Sequence, residues 1–186
     1  MTTMEIEHSS EVLAGGRVHS GIAWAHLRWV RDYHGDQAVK ELVAPVPQEG
    51  WISFESLIAL DRAIERKFGR GRRGFLRELG RYSAHLNLSD PRDGFRGEAI
   101  HDFFYRAALL HARFQDFGTA AYEELDPTSG RMVHAAYPCF SPLYCASAIG
   151  YYEQALIIQH AIPTRVEETS CQCNGETTCT FEMRWA

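Results

Sequence analysis

No stretch of this 186-residue sequence approaches the roughly 18 consecutive apolar residues of a membrane-spanning helix, so no membrane span is expected. The opening residues, Met1–Glu11, are polar and acidic, unlike the apolar heart of a secretion signal, and a cytoplasmic location is expected. Positive charge is not in excess. The formal net charge of −5 gives no general attraction to nucleic acid, and none is expected as a partner. Internal repeats and low-complexity tracts are absent. So are a glycine-rich dinucleotide fingerprint and a nucleophile–base–orienter set, and the chain is not expected to be an enzyme. Cysteine is absent before residue 139, and all five cysteines follow from there. A disulfide framework would spread its cysteines along a small chain. Their clustering favours a metal site, with buried free thiols or a disulfide as the alternatives.

Hydrophobic residues make up 45% of the chain, enough for one ordinary core. Residues 1–15 are expected to be a flexible start, and 16–186 a single ligand-binding or sensor domain. Apolar periodicity predicts a helix over Val18–Tyr33, stopped by His34-Gly35, and a second from Asp36 to about Leu42. After Pro45 and Pro47 break the chain, Ser53 can cap a helix running to Gly69. Gly69–Gly74 reads as a basic, solvated loop, followed by a helix from Phe75 to Asn87. The cluster Ser89–Gly94 is a turn, and Gly97–Phe114 the next helix, with His111 on its apolar stripe. Two strands, Thr119–Leu125 and Arg131–Tyr137, are joined by 126–130. Ser141-Pro142 opens a helix to about His160, and Thr164–Cys173 with Thr178–Trp185 forms a last hairpin. The expected class is α+β: N-terminal helices, then a ββαββ antiparallel unit whose final hairpin is stapled by zinc.

Cys145, Cys171 and Cys179 could join Glu168 around a metal. Thiolates with a carboxylate suit Zn²⁺, and a closed shell of protein ligands leaves no position for an activated water, so the role is structural. In a regular hairpin Cys171 would stand opposite Cys179. Glu168 is three residues from Cys171 and would face the other side, so the site requires an irregular strand over 168–171. Arg165 and Arg184 are candidate cations beside the site. Cys139 and Cys173 are spare thiols, either of which could replace a ligand.

Glu-x-x-Cys followed by a cysteine pair and Phe, here Glu168, Cys171, Cys173, Cys179 and Phe181, with Cys145 on the preceding helix, resembles the 4-vinyl reductase domain. That family includes the aromatic-sensing domains of phenol- and xylene-responsive activators. It is similar to small TRAPP tethering subunits and, more distantly, to haem nitric-oxide-binding sensors. The resemblance is specific over residues 145–181 and weaker back to about residue 70. It implies a homodimer, structural zinc on Cys145, Glu168, Cys171 and Cys179, and a pocket beside the zinc for an apolar or aromatic molecule. The side-chain pattern offers Phe103, Phe104, His111, His134, Tyr137, Tyr144 and Tyr152 for that pocket; packing in the core is the plainer role of each aromatic. The expected function is a small-molecule sensory domain, with output through a protein effector. The alternatives are a haem-based gas sensor with His111 or His101 as axial ligand, a non-catalytic dimeric adaptor and, least favoured, a tetrapyrrole vinyl reductase.

Overall fold

Local capping sets the main elements in place. The computed structural model describes residues 10–42, 46–72, 74–88 and 99–186. Helix α1 is Ser20–His34 and ends at Gly35, which has φ 84°. A short α2, Asp36–Lys40, follows. Helix α3, Phe54–Ile64, starts where the Ser53 hydroxyl accepts the Ser56 N–H at 3.1 Å. It runs into a π-helical turn, Glu65–Gly69. Helix α4 is Phe75–Leu88, α5 is Ile100–Leu109 and α6 is Pro142–Ile158. Ser141 caps α6 by accepting the Leu143 N–H at 3.3 Å, with Pro142 in the first turn.

Strands β1 (Arg17–His19) and β2 (Trp51–Ser53) pair in a small antiparallel sheet. Strands β3 (Thr119–Asp126), β4 (Ser129–Ala135), β5 (Thr164–Ser170) and β6 (Thr178–Trp185) form the main sheet, all antiparallel, in the order β3-β4-β6-β5. The expected ββαββ order is therefore present as β3-β4-α6-β5-β6.

Helix α6 packs on the sheet on one side and against α4 on the other. Glycines make the second contact close. A Cβ on Gly80 would lie 1.9 Å from the Ser147 carbonyl oxygen, and one on Gly150 would lie 2.0 Å from that of Arg77. One core, with Phe103, Phe104, Met132, Leu156 and Phe181, fills the space between α5, α6 and the sheet. The other, with Val30, Phe54, Leu57, Ile58 and Phe75, lies among α1, α3 and α4. Each large side chain withdrawn from water contributes about 1.5–3 kcal/mol.

Several expected boundaries move. Val18 is not helical: it pairs with Ile52, and α1 begins after the His19 ring accepts the Gly21 N–H at 3.1 Å. The predicted helix 97–114 ends at Leu109. Leu110 turns the chain and His111–Arg113 is a 3₁₀ turn, so His111 leaves the stripe of Phe104 and Ala107. The β3–β4 hairpin is tighter than expected because the Asp126 carboxylate accepts the Thr128 N–H at 2.8 Å and the Ser129 hydroxyl at 2.6 Å. The final hairpin is looser. Ser170 is the last paired residue of β5, and Gln172–Asn174 forms a 3₁₀ turn closed by left-handed Gly175. Cys171 and Cys173 therefore do not share a strand face. Within the expected loose start, Val12 and Phe140 exchange both backbone bonds, at 2.9 and 2.7 Å. Pro45, Arg73, the turn 89–94 and Gly97 lie outside the described residues.

Candidate functional site

The C-terminal cysteines and the aromatic body meet around α6. Cys145 sits in the first turns of α6, Glu168 on β5, Cys171 just beyond β5, and Cys179 near the start of β6. The register of β5 against β6 shifts between Glu168 and Ser170, the irregularity that Glu168 requires. One ligand atom from each of the four lies within 4.8 Å of all the others. Cys145 Sγ is 3.9 Å from Cys171 Sγ and 3.7 Å from Cys179 Sγ. Two sulfurs each ~2.3 Å from a tetrahedral ion stand about 3.8 Å apart, whereas a disulfide brings them to ~2.05 Å. The spacing is one at which the four side chains could hold a single metal ion.

The local electrostatics agree. Burial, with the Cys171 sulfur beside it, pushes the Glu168 carboxyl up to about 8, and its Oε1 has no hydrogen-bond partner among the described residues. The hydrogen bonds of Cys145, Cys173 and Cys179 hold the Cys171 thiol far below its ordinary value. The bond to Cys171 raises that of Cys145. Such crowding lets one thiolate form alone; a cation is what allows all to ionise together. Gln172 N–H donates to Cys179 Sγ at 3.4 Å, which supports negative charge on that sulfur. Cys173 adjoins this cluster, but Cys139 packs in the helical core near Phe117. Arg165 and Arg184 do not back the clasp: both are exposed and paired with Glu167 and Glu182.

A cavity of about 220 Å³ lies between α1, α4, α5, α6 and the sheet. Six of the seven residues selected from sequence line it: Phe103, Phe104, His111, His134, Tyr144 and Tyr152. Tyr137 stands behind the wall and ties it together. Its hydroxyl donates to Gln115 Oε1 at 2.6 Å and so accepts from His111 Nε2 at 2.6 Å. Gln115 in turn donates to the Tyr144 hydroxyl. His134 Nε2 is 2.7 Å from the Tyr152 hydroxyl, and its ring stacks on Tyr137 at 5.3 Å and 11°. Burial pushes His134 down to about 3 and lowers His111, so both rings are neutral at pH 7.

Three polar residues on the helical side escaped the sequence reading. His26 on α1 and Asp61 on α3 are fully buried and bonded, Nδ1 to Oδ1, at 2.6 Å. His26 lines the cavity, as does Ser83 on α4. The available signal was a polar residue on the apolar stripe of each helix, which periodicity alone treats as noise.

No family model matches the chain, and no curated protein matches it. Solved structures do, several of them H-NOX domains. An oxygen-binding H-NOX domain related to soluble guanylate cyclases, in its oxygen complex, aligns at 14% identity and TM-score 0.66, covering 89% of this chain and 94% of that one. A structure concerned with haem redox potential and porphyrin distortion aligns at 14% and 0.66, covering 90% and 99%. A mutant of T. Tengcongensis H-NOX aligns at 14% and 0.64, covering 88% and 96%. At such identity the likeness shows a shared fold over nearly the whole chain. The likeness to haem nitric-oxide-binding sensors, expected to be distant, is the one these comparisons bring out, and it is a likeness of fold.

The cavity volume and the two histidines named above as axial ligands do not suit a haem, although His26 also lines the cavity and its Nε2 has no partner among the described residues. About 220 Å³ falls short of the ~300–1,000 Å³ of pockets for drug-sized ligands, and a tetrapyrrole is at least that large. Of the two histidines proposed as axial ligands, His111 has Nε2 engaged by Tyr137. His101 is not in the cavity wall and bonds the Tyr122 hydroxyl through Nδ1 at 2.8 Å.

Proposed function

We propose that this chain is a non-catalytic sensory domain that takes a compact apolar molecule into the cavity between its helices and sheet. The cavity carries the reading: its volume lies a little above the ~150 Å³ of a cavity known to hold benzene, and its walls are largely aromatic and aliphatic. The H-NOX-like architecture supports a sensory role. The set Ser83, His26 and Asp61 superficially matches a catalytic triad, yet Ser83 Oγ and His26 Nε2 do not bond each other.

In this reading Cys145, Glu168, Cys171 and Cys179 hold a structural zinc with a site charge of about −2, all four positions being protein-filled. Helix α6 connects clasp and cavity, since Cys145 and Tyr144 are adjacent on it. Binding that shifts Tyr144 or Tyr152 would be felt at the clasp and passed to a second copy or an effector. Among the described residues no helix is long and apolar enough to cross a membrane. Assignment to the 4-vinyl reductase domain and a cytoplasmic homodimer belong to the same proposal.

A second reading is a haem-bound gas sensor. The structural comparisons favour it over arene sensing, because haem and oxygen appear in the descriptions of the matched structures. The cavity volume and the engaged His111 and His134 favour the smaller ligand. Reconstitution with haem followed by absorbance separates the two: a stoichiometric Soret band establishes the haem reading, and a colourless protein whose melting temperature rises with an added single-ring arene establishes the first.

A further inference from the structure

The basic loop between α3 and α4 borders a second concavity, which shares no lining residue with the cavity described above. It is an open groove of about 1140 Å³ between the end of α1, the π-helical turn with the loop after it, and α4. Aromatic rings line it. His34 stacks on Phe68 at 4.1 Å and 19°, and Trp29 packs beside both. Tyr33, 65% exposed, stands 6.2 Å from Tyr82. Four cations, Lys67, Arg70, Arg72 and Arg81, line the same groove, against the carboxylate of Glu78. Asp32, at the Tyr82 hydroxyl, is offset by Arg28 and Arg31. Three of the four cations hold carboxylates of this chain: Lys67 pairs with Glu41 at 2.5 Å, Arg72 with Glu78 at 2.9 Å and Arg81 with Glu153 at 2.7 Å. Arg70, whose backbone is left-handed at φ 51°, is exposed and has no ion pair among the described residues. The chain as a whole carries −5, so this face is a local reversal of sign.

We infer that this groove docks an acidic segment of a protein partner, whose carboxylates take over the cations while an apolar side chain lies on the aromatic rings between them. Exposed ion pairs contribute about 0–1 kcal/mol, so a partner's carboxylates displace the chain's own at little cost. Arg70 adds a charge-assisted bond that the free chain does not make. Size separates a partner from a small molecule. Small-molecule pockets span ~300–1,000 Å³ and enclose what they bind, whereas this groove is larger and open to solvent. The group that its cations hold in the free chain is carboxylate, which an acidic peptide supplies. Helices α1 and α4 wall both groove and cavity, so a partner seated here touches the two helices that a cavity ligand also touches. The effector of the sensory reading thereby gains a docking surface, yet the groove stands whether or not the cavity is filled.

The test pans a phage-displayed library of random peptides against the whole metal-loaded protein and, in parallel, against an Arg70→Glu, Arg72→Glu double variant. Both changes fall on exposed side chains of a loop, and a melting curve like the parent's establishes that the variant is folded. The expected peptides carry Asp and Glu on either side of Trp, Phe or Leu. They bind the parent about tenfold more tightly than the variant and weaken several-fold from low to physiological salt. In ¹H–¹⁵N spectra they shift Tyr33, Phe68 and Arg70, and Tyr33→Ala weakens them with no change of charge. Peptides without acidic bias, equal affinity for the variant, shifts confined to other residues, or no binders at all overturn the docking surface and leave the cavity reading untouched. Inorganic triphosphate or an oligonucleotide that occupies the groove at lower concentration than any peptide overturns it in favour of a phosphate-bearing occupant.

Discussion

Replacing Gly80 by Ala tests the contact that places α6 between clasp and cavity. An exposed helical Gly→Ala change normally stabilises by about 1 kcal/mol. Here the new methyl would start 1.9 Å from the Ser147 carbonyl oxygen, 2.8 Å from its carbon and 2.9 Å from Tyr151 N. Carbon and carbonyl oxygen settle at about 3.3–3.6 Å, so the helices must part by more than an ångström. The obstacle is backbone, which cannot swing aside as a side chain can. Overpacking costs about 1–3 kcal/mol, and separation also loosens the neighbouring contacts, so a net loss of about 2 kcal/mol is expected. For a chain of this length that lowers Tm by about 4–8 °C. Gly150→Ala meets the Arg77 carbonyl at 2.0 Å and should behave alike. Once the helices have parted, the second methyl costs less, so the double variant should lose clearly less than the sum. Urea unfolding followed by circular dichroism at constant zinc reads all three. A gain of about 1 kcal/mol in either single variant, or strict additivity, would refute the close crossing.

Cys179→Ser should lower stability by several kcal/mol and release the metal, because structural zinc binding is coupled to folding; equal melting of variant and parent with metal still bound contradicts the clasp. Burial holds folded His134 at about 3 against about 6.5 unfolded, so between those values the unfolded chain binds the extra proton. Stability is then complete above pH 6.5 and falls with acid, by about 2 kcal/mol from pH 7 to pH 5 for this ring alone. Because zinc-bound thiolates add their own pH dependence, the ring is read directly by NMR on zinc-loaded protein: the His134 imidazole should stay neutral down to pH 5, and titration near 6.5 would contradict its burial. Phe104→Ala, at a side chain 1% exposed and stacked 5.3 Å from Tyr122, should cost about 3–5 kcal/mol and enlarge the cavity; a crystal structure showing the space refilled by neighbours goes with the low end.

What the sequence disclosed was local or strongly patterned. The caps at Ser53 and Ser141 depend on neighbours two or three residues away. That Cys145, Glu168, Cys171 and Cys179 come together was legible because thiols are scarce and clustered. Parity alone required the strand to bend near Glu168, and the register shift lies there. What stayed hidden depends on distant partners. Strand β1 is three residues long, too short to show a period, and exists because Trp51–Ser53 lies beside it. The turn at Leu110 carries no glycine or proline; the His111–Tyr137–Gln115 chain accompanies it from outside the helix. His26 and Asp61 are 35 positions apart, and each alone looks like an imperfection in an apolar stripe. The aromatic residues of the cavity were found by composition, whereas its polar end needed three helices in place.

Native mass spectrometry of the purified chain, before and after addition of phenol, tests the account most directly. It should show one zinc per chain, no haem, and a single small-molecule adduct that appears with phenol. A metal-free folded chain contradicts the clasp, and a chain carrying haem or refusing the adduct contradicts the proposed ligand site.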